Sequence, residues 1–339
     1  MSAMKQVALL HGAGYVGGEV IKLMTGHPSA ELVAATSRAF TNQPIWAAHP
    51  HLRGTTDLTF CSFDDLDLGA LDAILVTAEH GQGVVAVQRL LERGFTGAIV
   101  DLTADFRFEQ PEQYETWFGY THPAPDLLDA FQYGLVEVHV PYPDGTRYIA
   151  NPGCFATGTS LALYPLGQHL GTFEAHIQAL TGASGSGAKP KPTTHFPRRS
   201  GNVRAYKVLR HQHQPEMQQV AGPGATLHFV PVSGPWTRGI WGTVQVSLPE
   251  GVTEDDVASW YEAAYADNPL IRLWDGLPEL RAVVNTPFAD LGWVVQDGHL
   301  VVGFAIDNLL KGAASQAIQN LNLVLALPET AGLLHGGVG

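Results

Sequence analysis

Apolar positions in the first half of the chain fall into short continuous runs, separated by segments with helical spacing. The runs at 7–10, 71–78 and 97–104 are typical of strands that are buried on both faces of a sheet. Helical spacing occupies 16–23 and 83–94. Strands that alternate with helices predict a doubly wound parallel sheet, which is a Rossmann-type α/β domain.

The second half of the chain has a different pattern, in which longer β runs follow a single helix. This order predicts an α+β domain with a mostly antiparallel sheet and helices on one face. A last amphipathic helix closes the chain. The predicted segments are a helix at 155–169, strands at 175–182, 225–234 and 240–249, a helix at 254–267, further strands within 282–307 and the last helix at 308–327.

Composition narrows the class of protein. The chain has 339 residues, which is long for one core and suggests two domains. Lys and Arg number 19 against 32 Asp and Glu, and the net charge of −13 argues against binding to nucleic acids or membrane surfaces. No apolar run approaches the ~18–20 residues of a membrane span, and the N-terminus has no signal-peptide pattern. Two cysteines do not make a disulfide framework, so we expect a cytoplasmic protein with reduced thiols.

A glycine pattern follows the first strand and opens the first helix. Gly12, Gly14 and Gly17 form G-x-G-x-x-G, in which glycine permits a tight turn and the close approach of a pyrophosphate to the helix N-terminus. The pattern predicts a dinucleotide site, and a plain turn between strand and helix is the alternative.

A further strand is predicted at 30–37, directly after the first helix, and its end indicates which dinucleotide binds. An NAD site would offer Asp or Glu there for the ribose 2′-hydroxyl, but this chain has Ser37 and Arg38. A hydroxyl and a guanidinium suit a 2′-phosphate, which favours NADP(H). The alternative is that Arg38 is a solvated surface side chain.

Cys154 stands behind the turn Asn-Pro-Gly and at the start of a predicted helix. The free N–H groups and the dipole of a helix N-terminus lower the pKa of a thiol and favour the nucleophilic thiolate. We therefore expect Cys154 to form a thioester. The alternative is a small buried thiol that packs as an apolar residue, which is the role that we expect for Cys61.

The segment at 210–217 offers His211, His213 and Glu216. Imidazole titrates near neutral pH and can serve as acid and base in one cycle. A zinc site is a weaker interpretation, because no further Cys or His has ligand spacing, and we predict no metal. A pair of histidines without a chemical role also remains open.

A basic span lies between Glu174 and Glu216, which contains no acidic residue. The span is either an anion site or a solvated loop. Its seven cationic residues are Lys189, Lys191, Arg198, Arg199, Arg204, Lys207 and Arg210.

Together these residues resemble the N-acyl-γ-glutamyl-phosphate reductase family of the aspartate-semialdehyde dehydrogenase-like superfamily, over nearly the whole chain. The sequence departs from the family pattern at Thr103, where serine is commoner, and at Phe155-Ala156, where Tyr-Pro is usual in the arginine enzymes. The matching motifs are GAGYVGGE at 12–19, DLTADFR at 101–107, NPGCFAT at 151–157, HQHQPE at 211–216 and DNLLKGAASQA at 307–317.

The resemblance implies an N-terminal Rossmann-type domain, 1–153, that a C-terminal helix over 308–339 completes. It also implies an α+β catalytic and dimerisation domain, 154–307, of the glyceraldehyde-3-phosphate dehydrogenase-like C-terminal type, in a homo-oligomer that is a dimer or a tetramer. It assigns Cys154 and His211 to catalysis. By the same resemblance, substrate or phosphate contacts fall to Arg107, Ser184, Arg198, Arg204, His213 and Glu216, and cofactor contacts fall to Tyr15, Val16, Gly187, Asn308 and Lys311 as well as to the glycine turn, Ser37 and Arg38.

The family has two branches. One reduces N-acetyl-γ-glutamyl phosphate for arginine, and the other reduces α-aminoadipyl 6-phosphate, attached to a small acidic carrier protein, for lysine. The sequences at 36–54 and 191–207 look more like the lysine branch. In the implied mechanism Cys154 attacks the acyl phosphate, NADPH reduces the thioester, and His211 protonates the departing oxygen. Reduction of another acyl phosphate, such as aspartyl phosphate, and a non-catalytic NADPH-binding redox sensor are the competing hypotheses.

Overall fold

The structure is a computed structural model that describes residues 3–334. The chain divides into two compact units, Met1–Pro152 with Ala313–Gly339 and Gly153–Gly312. The return to the first unit therefore begins at Ala313 rather than at 308. The end of the helix predicted over 308–339, residues 335–339, lies outside the described residues.

A seven-stranded parallel sheet forms the centre of the first unit, in the order β3-β2-β1-β4-β5-β7-β6. This confirms the predicted doubly wound sheet, and the four residues of β4 are completely buried, as its continuous apolar run requires. The strands are β1 (Lys5–Leu10), β2 (Ala30–Thr36), β3 (Phe60–Cys61), β4 (Ala73–Val76), β5 (Ala98–Asp101), β6 (Phe131–Tyr133) and β7 (Tyr148–Ala150).

Helices of the first unit connect these parallel strands. The two predicted helices are confirmed, and the first ends one residue before Gly26. Their bounds are α1 (Tyr15–Thr25), α2 (Gly83–Glu92), α3 (Glu112–Phe118) and α4 (Val136–His139).

The second unit contains a seven-stranded mixed sheet in the order β12-β13-β14-β11-β8-β10-β9. The pairs β8/β10 and β12/β13 are parallel and the other four are antiparallel. Burial alternates along β8, because helices cover one face of the sheet only. The elements are α5 (Cys154–Leu170), β8 (Phe173–Thr181), α6 (Phe196–Arg199), β9 (Arg204–Ala205), α7 (Gln214–Ala221), β10 (Ala225–Ser233), β11 (Ile240–Ser247), α8 (Glu254–Tyr265), β12 (Ile271–Asp275), β13 (Ala289–Gln296) and β14 (His299–Ile306).

The chain then makes a π-helical turn, Leu310–Ala314, and forms α9 (Ser315–Val324) in the first unit. The predicted last helix is present, but it is shorter than 308–327, and its polar side is not exposed, because all its residues from Ser315 to Asn322 are buried. Its buried amides are hydrogen-bonded instead, as Gln316 and Asn320 are to the carbonyl of Gly134.

Candidate active site

Cys154 is the first residue of the 17-residue helix α5, and it is partly buried. The residue before it, Gly153, has an extended backbone and donates its N–H to Oε2 of Glu216 at 2.9 Å. Glu216 lies in the first turn of α7 and is completely buried. Its carboxylate therefore fixes the turn from which the thiol projects, through a charge-assisted hydrogen bond.

Glycine is required on two sides of the cysteine turn. A Cβ at Gly153 would lie 2.4 Å from Nε2 of His213, so the imidazole packs directly over the turn. A Cβ at Gly312 would lie 2.8 Å from Cβ of Cys154. The sequence motif at 307–317 contained Gly312, but nothing in its local pattern indicated that this residue packs against the nucleophile.

His211 is buried, and its ring packs edge-on against Phe155 at 5.3 Å and Phe229 at 5.6 Å. The N–H of His213 donates to its Nδ1 at 3.2 Å, so the neutral ring carries its proton on Nε2. Burial, followed by the charge of Lys207, lowers the pKa of His211 to about 3. The imidazole is thus neutral around neutral pH and offers an Nε2–H donor, whereas the sequence suggested a group that titrates there.

This shift predicts a pH dependence of stability. Because the folded-state pKa of His211 lies below its ordinary value of 6.5, its contribution to the unfolding free energy is complete above pH 6.5 and is lost as the pH falls towards about 3. We expect the wild type to lose up to about 1.4 kcal/mol per pH unit more than His211→Asn in that window. Urea unfolding of both proteins at pH 7.5, 5.5 and 4.5 measures the difference, and parallel curves would contradict it.

Asn151, three residues before the nucleophile, belongs to the first unit and is held by several hydrogen bonds. It is almost completely buried. Its N–H donates to the Asp101 carbonyl at 2.7 Å, its carbonyl accepts from Nε of Arg107 at 2.8 Å, its Nδ2 donates to the Ala313 carbonyl at 3.3 Å, and its Oδ1 accepts from Nδ2 of Asn320 at 3.0 Å.

Arg107 is therefore a support of this turn. It is buried, and besides the bond to Asn151 its Nη2 donates to the carbonyl of Leu102 at 3.2 Å. Its proposed contact with phosphate stays a prediction. Asn320 was missed by the sequence analysis, because only the tertiary structure brings it to Asn151.

The loop after β8 connects to the end of β14 in the second unit. Nδ2 of Asn308 donates to Oγ of Ser184 at 3.0 Å, and its Oδ1 accepts the N–H of Gly239 at 2.6 Å. Gly187 follows in the left-handed region with φ of 78°, and Lys311 is completely buried. These contacts indicate that Asn308 holds the loop after β8 in place. The cofactor contacts expected of Gly187, Asn308 and Lys311 stay predictions.

The basic span separates into exposed and buried cations. Arg198 is exposed and Arg204 is half-buried, whereas Arg199 has only 8% of its surface exposed. The family resemblance implied substrate contacts for Arg198 and Arg204 and not for Arg199. Two adjacent arginines give no sequence signal that says which one points inward.

The glycine turn of the first unit fits a pyrophosphate. A Cβ at Gly17 would lie 2.3 Å from the carbonyl oxygen of Gly12, so the helix can begin close to the turn only with glycine there. Gly14 is the N-cap of α1, and no atom lies within 4 Å of the position of a Cβ on it. Open space in front of the unpaired amides of an 11-residue helix suits phosphate oxygens. Tyr15 is exposed and Val16 half-buried at this helix start.

The end of β2 lies beside the glycine turn. The carbonyl of Thr36 accepts the N–H of Gly12 at 2.9 Å, and the next residue, Ser37, is buried. Arg38 is exposed, and among residues 3–334 no carboxylate forms an ion pair with it. Burial, followed by the charge of Arg38, lowers the pKa of His11, which precedes the turn. The guanidinium charge therefore acts at the turn itself.

Replacement of Arg38 by alanine should distinguish the two nicotinamide dinucleotides. If Arg38 binds a 2′-phosphate, the variant loses a charged hydrogen bond of ~1.5–3 kcal/mol, which is roughly ten- to hundredfold in the Kd of NADPH. The Kd of NADH should change little. Fluorescence titration with both dinucleotides is the measurement, with Lys22→Ala, an exposed cation of α1, as the control. An equal loss for both dinucleotides would show that Arg38 does not bind the 2′-phosphate.

Two family profiles match the chain in sequence. The profile "Semialdehyde dehydrogenase, NAD binding domain" matches residues 6–142, and "Semialdehyde dehydrogenase, dimerisation domain" matches residues 154–308. The chain belongs to the semialdehyde dehydrogenase family. The family resemblance, the oxidoreductase class and the use of a nicotinamide dinucleotide are thereby confirmed, whereas the residues expected to bind the dinucleotide stay predictions.

Named relatives of this semialdehyde dehydrogenase include enzymes of both branches. The LysW-L-2-aminoadipate 6-phosphate reductase of Deinococcus radiodurans is 39% identical over 97% of this chain and 96% of its own length. The N-acetyl-gamma-glutamyl-phosphate reductase of Methanopyrus kandleri is 38% identical over 98% of this chain and 99% of its own length. Identity alone does not separate the two substrates.

Solved structures agree on the fold of the semialdehyde dehydrogenases. Aspartate semialdehyde dehydrogenase II from Vibrio cholerae matches with a TM-score of 0.74 at 15% identity, over 96% of this chain and 99% of that one. The aspartate semialdehyde dehydrogenase from Candida albicans, a complex with NADP, has a TM-score of 0.68 at 14% identity, over 96% of this chain and 100% of that one. Within residues 3–334, no helix is long and apolar enough to cross a membrane, and no three His, Cys, Asp or Glu side chains cluster as metal ligands would.

Proposed function

We propose that this semialdehyde dehydrogenase reduces an N-blocked acyl phosphate to its semialdehyde through a thioester on Cys154. The observation that carries the proposal is the cysteine turn, in which the buried carboxylate of Glu216 holds Gly153 and presents Cys154 at the start of α5. A thiol at the N-terminus of a long helix is activated as a nucleophile, and the positive end of the dipole also favours an anionic substrate nearby.

The chain's own residues perform the covalent steps. Sγ of Cys154 attacks the acyl carbon, the bond from that carbon to the phosphate oxygen breaks, and inorganic phosphate leaves. Gly12, Gly14, Gly17 and Arg38 would hold a nicotinamide dinucleotide, which would supply the hydride for reduction of the thioester. After reduction the acyl carbon is tetrahedral and its oxygen carries negative charge. The bond from carbon to sulfur then breaks, which releases the aldehyde and restores the thiolate.

His211 acts on the oxygen of the reacting carbonyl. Its Nε2–H is a donor, because the backbone N–H of His213 occupies Nδ1. A donor fixed in a buried site stabilises negative charge as it develops, without reorganisation. His213 covers the cysteine turn and orients it, and Glu216 positions it.

The favoured substrate is α-aminoadipyl 6-phosphate bound to a small acidic carrier protein. Five of the seven cations of the basic span are exposed, although the whole chain carries a net charge of −13. A small phosphorylated metabolite needs one or two cations, whereas an acidic protein surface uses a wider field for encounter and orientation. N-acetyl-γ-glutamyl phosphate is the second candidate, because relatives of that activity are almost equally similar. We propose a cytoplasmic homo-oligomer, and the match to a dimerisation domain supports its oligomeric state.

Paired kinetics in the oxidative direction test the proposal. The enzyme is given NADP, phosphate and either N-acetylglutamate semialdehyde or the carrier-bound aminoadipate semialdehyde, at low and moderate salt. Exposed pairs contribute only ~0.2–1 kcal/mol each, so we expect a collective effect. The triple variant Lys191→Ala, Arg198→Ala, Arg210→Ala should raise KM for the carrier-bound substrate, and salt should raise it too.

A triple variant of exposed cations elsewhere, Lys22→Ala, Arg53→Ala, Arg281→Ala, is the control and should leave that KM nearly unchanged. Efficient use of N-acetylglutamate semialdehyde, no use of the carrier-bound substrate and no salt dependence would replace the lysine assignment by the arginine one. Binding of NADPH without phosphate-dependent turnover of either substrate would contradict the enzyme proposal itself.

A further inference from the structure

Arg199 is a buried cation without an acidic partner. Its Nη2 donates to the carbonyl of Thr181 at 3.3 Å and its Nη1 to Oγ of Ser186 at 3.4 Å, while its buried Nε has no hydrogen-bond partner. Within the described chain, residues 3–334, no carboxylate forms an ion pair with it. Its neighbour Arg198 is exposed.

This arrangement is costly for the protein alone. A buried guanidinium loses hydration, and an isolated charge in the interior is normally paired with one of opposite sign. The two contacts of Arg199 are long for hydrogen bonds, so they compensate little and can be exchanged. Such a guanidinium is suited to bind an anionic oxygen of a ligand, because hydrogen bonds between opposite charges are shorter and stronger than those to neutral oxygens.

Arg199 lies at one end of the sheet in the second unit, and the same end carries another charged group of the site, Arg204. Thr181 ends β8 and is paired with Ser233, which ends the parallel strand β10. Arg204 pairs with that same Ser233, so both arginines reach the carboxyl ends of adjacent strands. The contact of Arg199 with Ser186 joins it to the loop that Ser184 and Asn308 order.

Tyr206 connects the two arginines with the cysteine turn. Its ring lies 5.8 Å from that of His211, which in turn packs against Phe155, the residue after Cys154. Burial raises the pKa of Tyr206; the charge of Cys154 adds to the shift, and the charges of Arg199 and Arg204 oppose it. The thiol and both guanidinium groups therefore act on one phenol.

We infer that Arg199 is the charged group of an anion-binding subsite near the cysteine turn, next to the Arg204 that the family resemblance already assigns to the substrate. The subsite takes an anionic oxygen group of the substrate, either the carboxylate of the acyl chain or the phosphate. The inference rests on the proposed function for the identity of the substrate, but not for the presence of the site. In this inference the buried Arg199 recognises the anionic group, whereas the exposed Arg198 contributes only to the positive electrostatic field around the site.

Alkylation of Cys154 tests the subsite without turnover. Iodoacetate and iodoacetamide differ only in that one carries a carboxylate, so the ratio of their rates at Cys154 measures the local preference for an anion. Arg199→Met removes the charge and keeps an apolar stem of similar length. We expect the ratio to fall at least about fivefold in Arg199→Met and less than about twofold in Arg198→Met, because an exposed charge is screened by solvent and salt.

Two small anions distinguish the source of the anionic group. Glutarate, a five-carbon dicarboxylate, and inorganic phosphate are each titrated as protectants of Cys154 against iodoacetamide. Protection by glutarate at the lower concentration assigns the subsite to the carboxylate, and protection by phosphate at the lower concentration assigns it to the phosphate. In both cases Arg199→Met should need at least about fivefold more protectant.

Equal falls of the alkylation ratio in the two variants, or no fall in either, would overturn the subsite, and so would the absence of protection by both anions. If the melting temperature shows that Arg199→Met is unstable, Arg199→Lys keeps the charge and should keep most of the ratio. If a stable Arg199→Lys instead lowers the ratio as much as is expected of Arg199→Met, a site that depends on charge is contradicted. If the ratio of alkylation rates depends on Arg199 as expected, but the wild type reduces no acyl phosphate, the subsite stands and the proposed function is refuted.

Discussion

Replacement of Cys154 by serine should abolish reduction and leave the dinucleotide bound. Without the thiolate no thioester forms, and we expect turnover to fall by at least about 10³-fold. The Kd of NADPH should stay within about twofold, because the glycine turn that would hold it belongs to the other unit. Steady-state kinetics and fluorescence titration of the same preparation measure both quantities.

Cys61 provides the internal comparison for this result. It lies half-buried at the end of β3, and burial, followed by the charge of Asp65, raises the pKa of its thiol. Since only the thiolate alkylates, Cys154 should react with iodoacetamide at least about tenfold faster than Cys61 at neutral pH. Cys61→Ser should keep full activity. Full turnover by Cys154→Ser, or faster labelling of Cys61, would refute the covalent mechanism.

Replacement of His211 by asparagine should lower kcat with a small effect on binding. The oxygen of asparagine can still accept the N–H of His213, as Nδ1 does at 3.2 Å, but no group then stands at Nε2. Loss of one fixed donor or acid costs typically about 10²–10⁴-fold in rate. His211→Gln, which can place an amide N–H near the position of Nε2, should recover part of the loss.

The pH profile separates this role from a general loss of structure. With a pKa of about 3, His211 stays neutral, so the wild-type rate should show no acid limb from this residue near pH 6.5. A limb near pH 6.5 that disappears in His211→Asn would show instead that the imidazole titrates during catalysis. Equal rates for the wild type and His211→Asn would remove His211 from the mechanism.

The features that the sequence predicted correctly depend on neighbouring residues. The doubly wound sheet follows from continuous apolar runs such as that of β4, and the glycine turn follows from three glycines within six residues. The cysteine turn is also local, because Pro152 and Gly153 precede the helix directly. Strands β3, β6 and β7 were missed, since two or three residues leave no periodicity to detect.

The parts of the site that the sequence did not predict depend on distant residues and on burial. Asn320 reaches Asn151 across 169 positions of the chain, so no spacing rule connects them. The inward direction of Arg199 is set by the four-residue helix α6 and by the end of β8. The pKa of His211 is lowered mainly by burial, and burial is known only once the aromatic neighbours are in place.

The close approach of Gly153 to His213 and of Gly312 to Cys154 has an evolutionary consequence. Neither glycine has a functional group. A methyl group at either position would nevertheless collide with the nucleophile or with the imidazole above it. In a saturation library selected for growth, these two positions should tolerate as few replacements as the cysteine itself. Such a library would therefore identify them as essential, although they take no part in the chemistry. The shape of the active site thus limits which substitutions can persist during evolution.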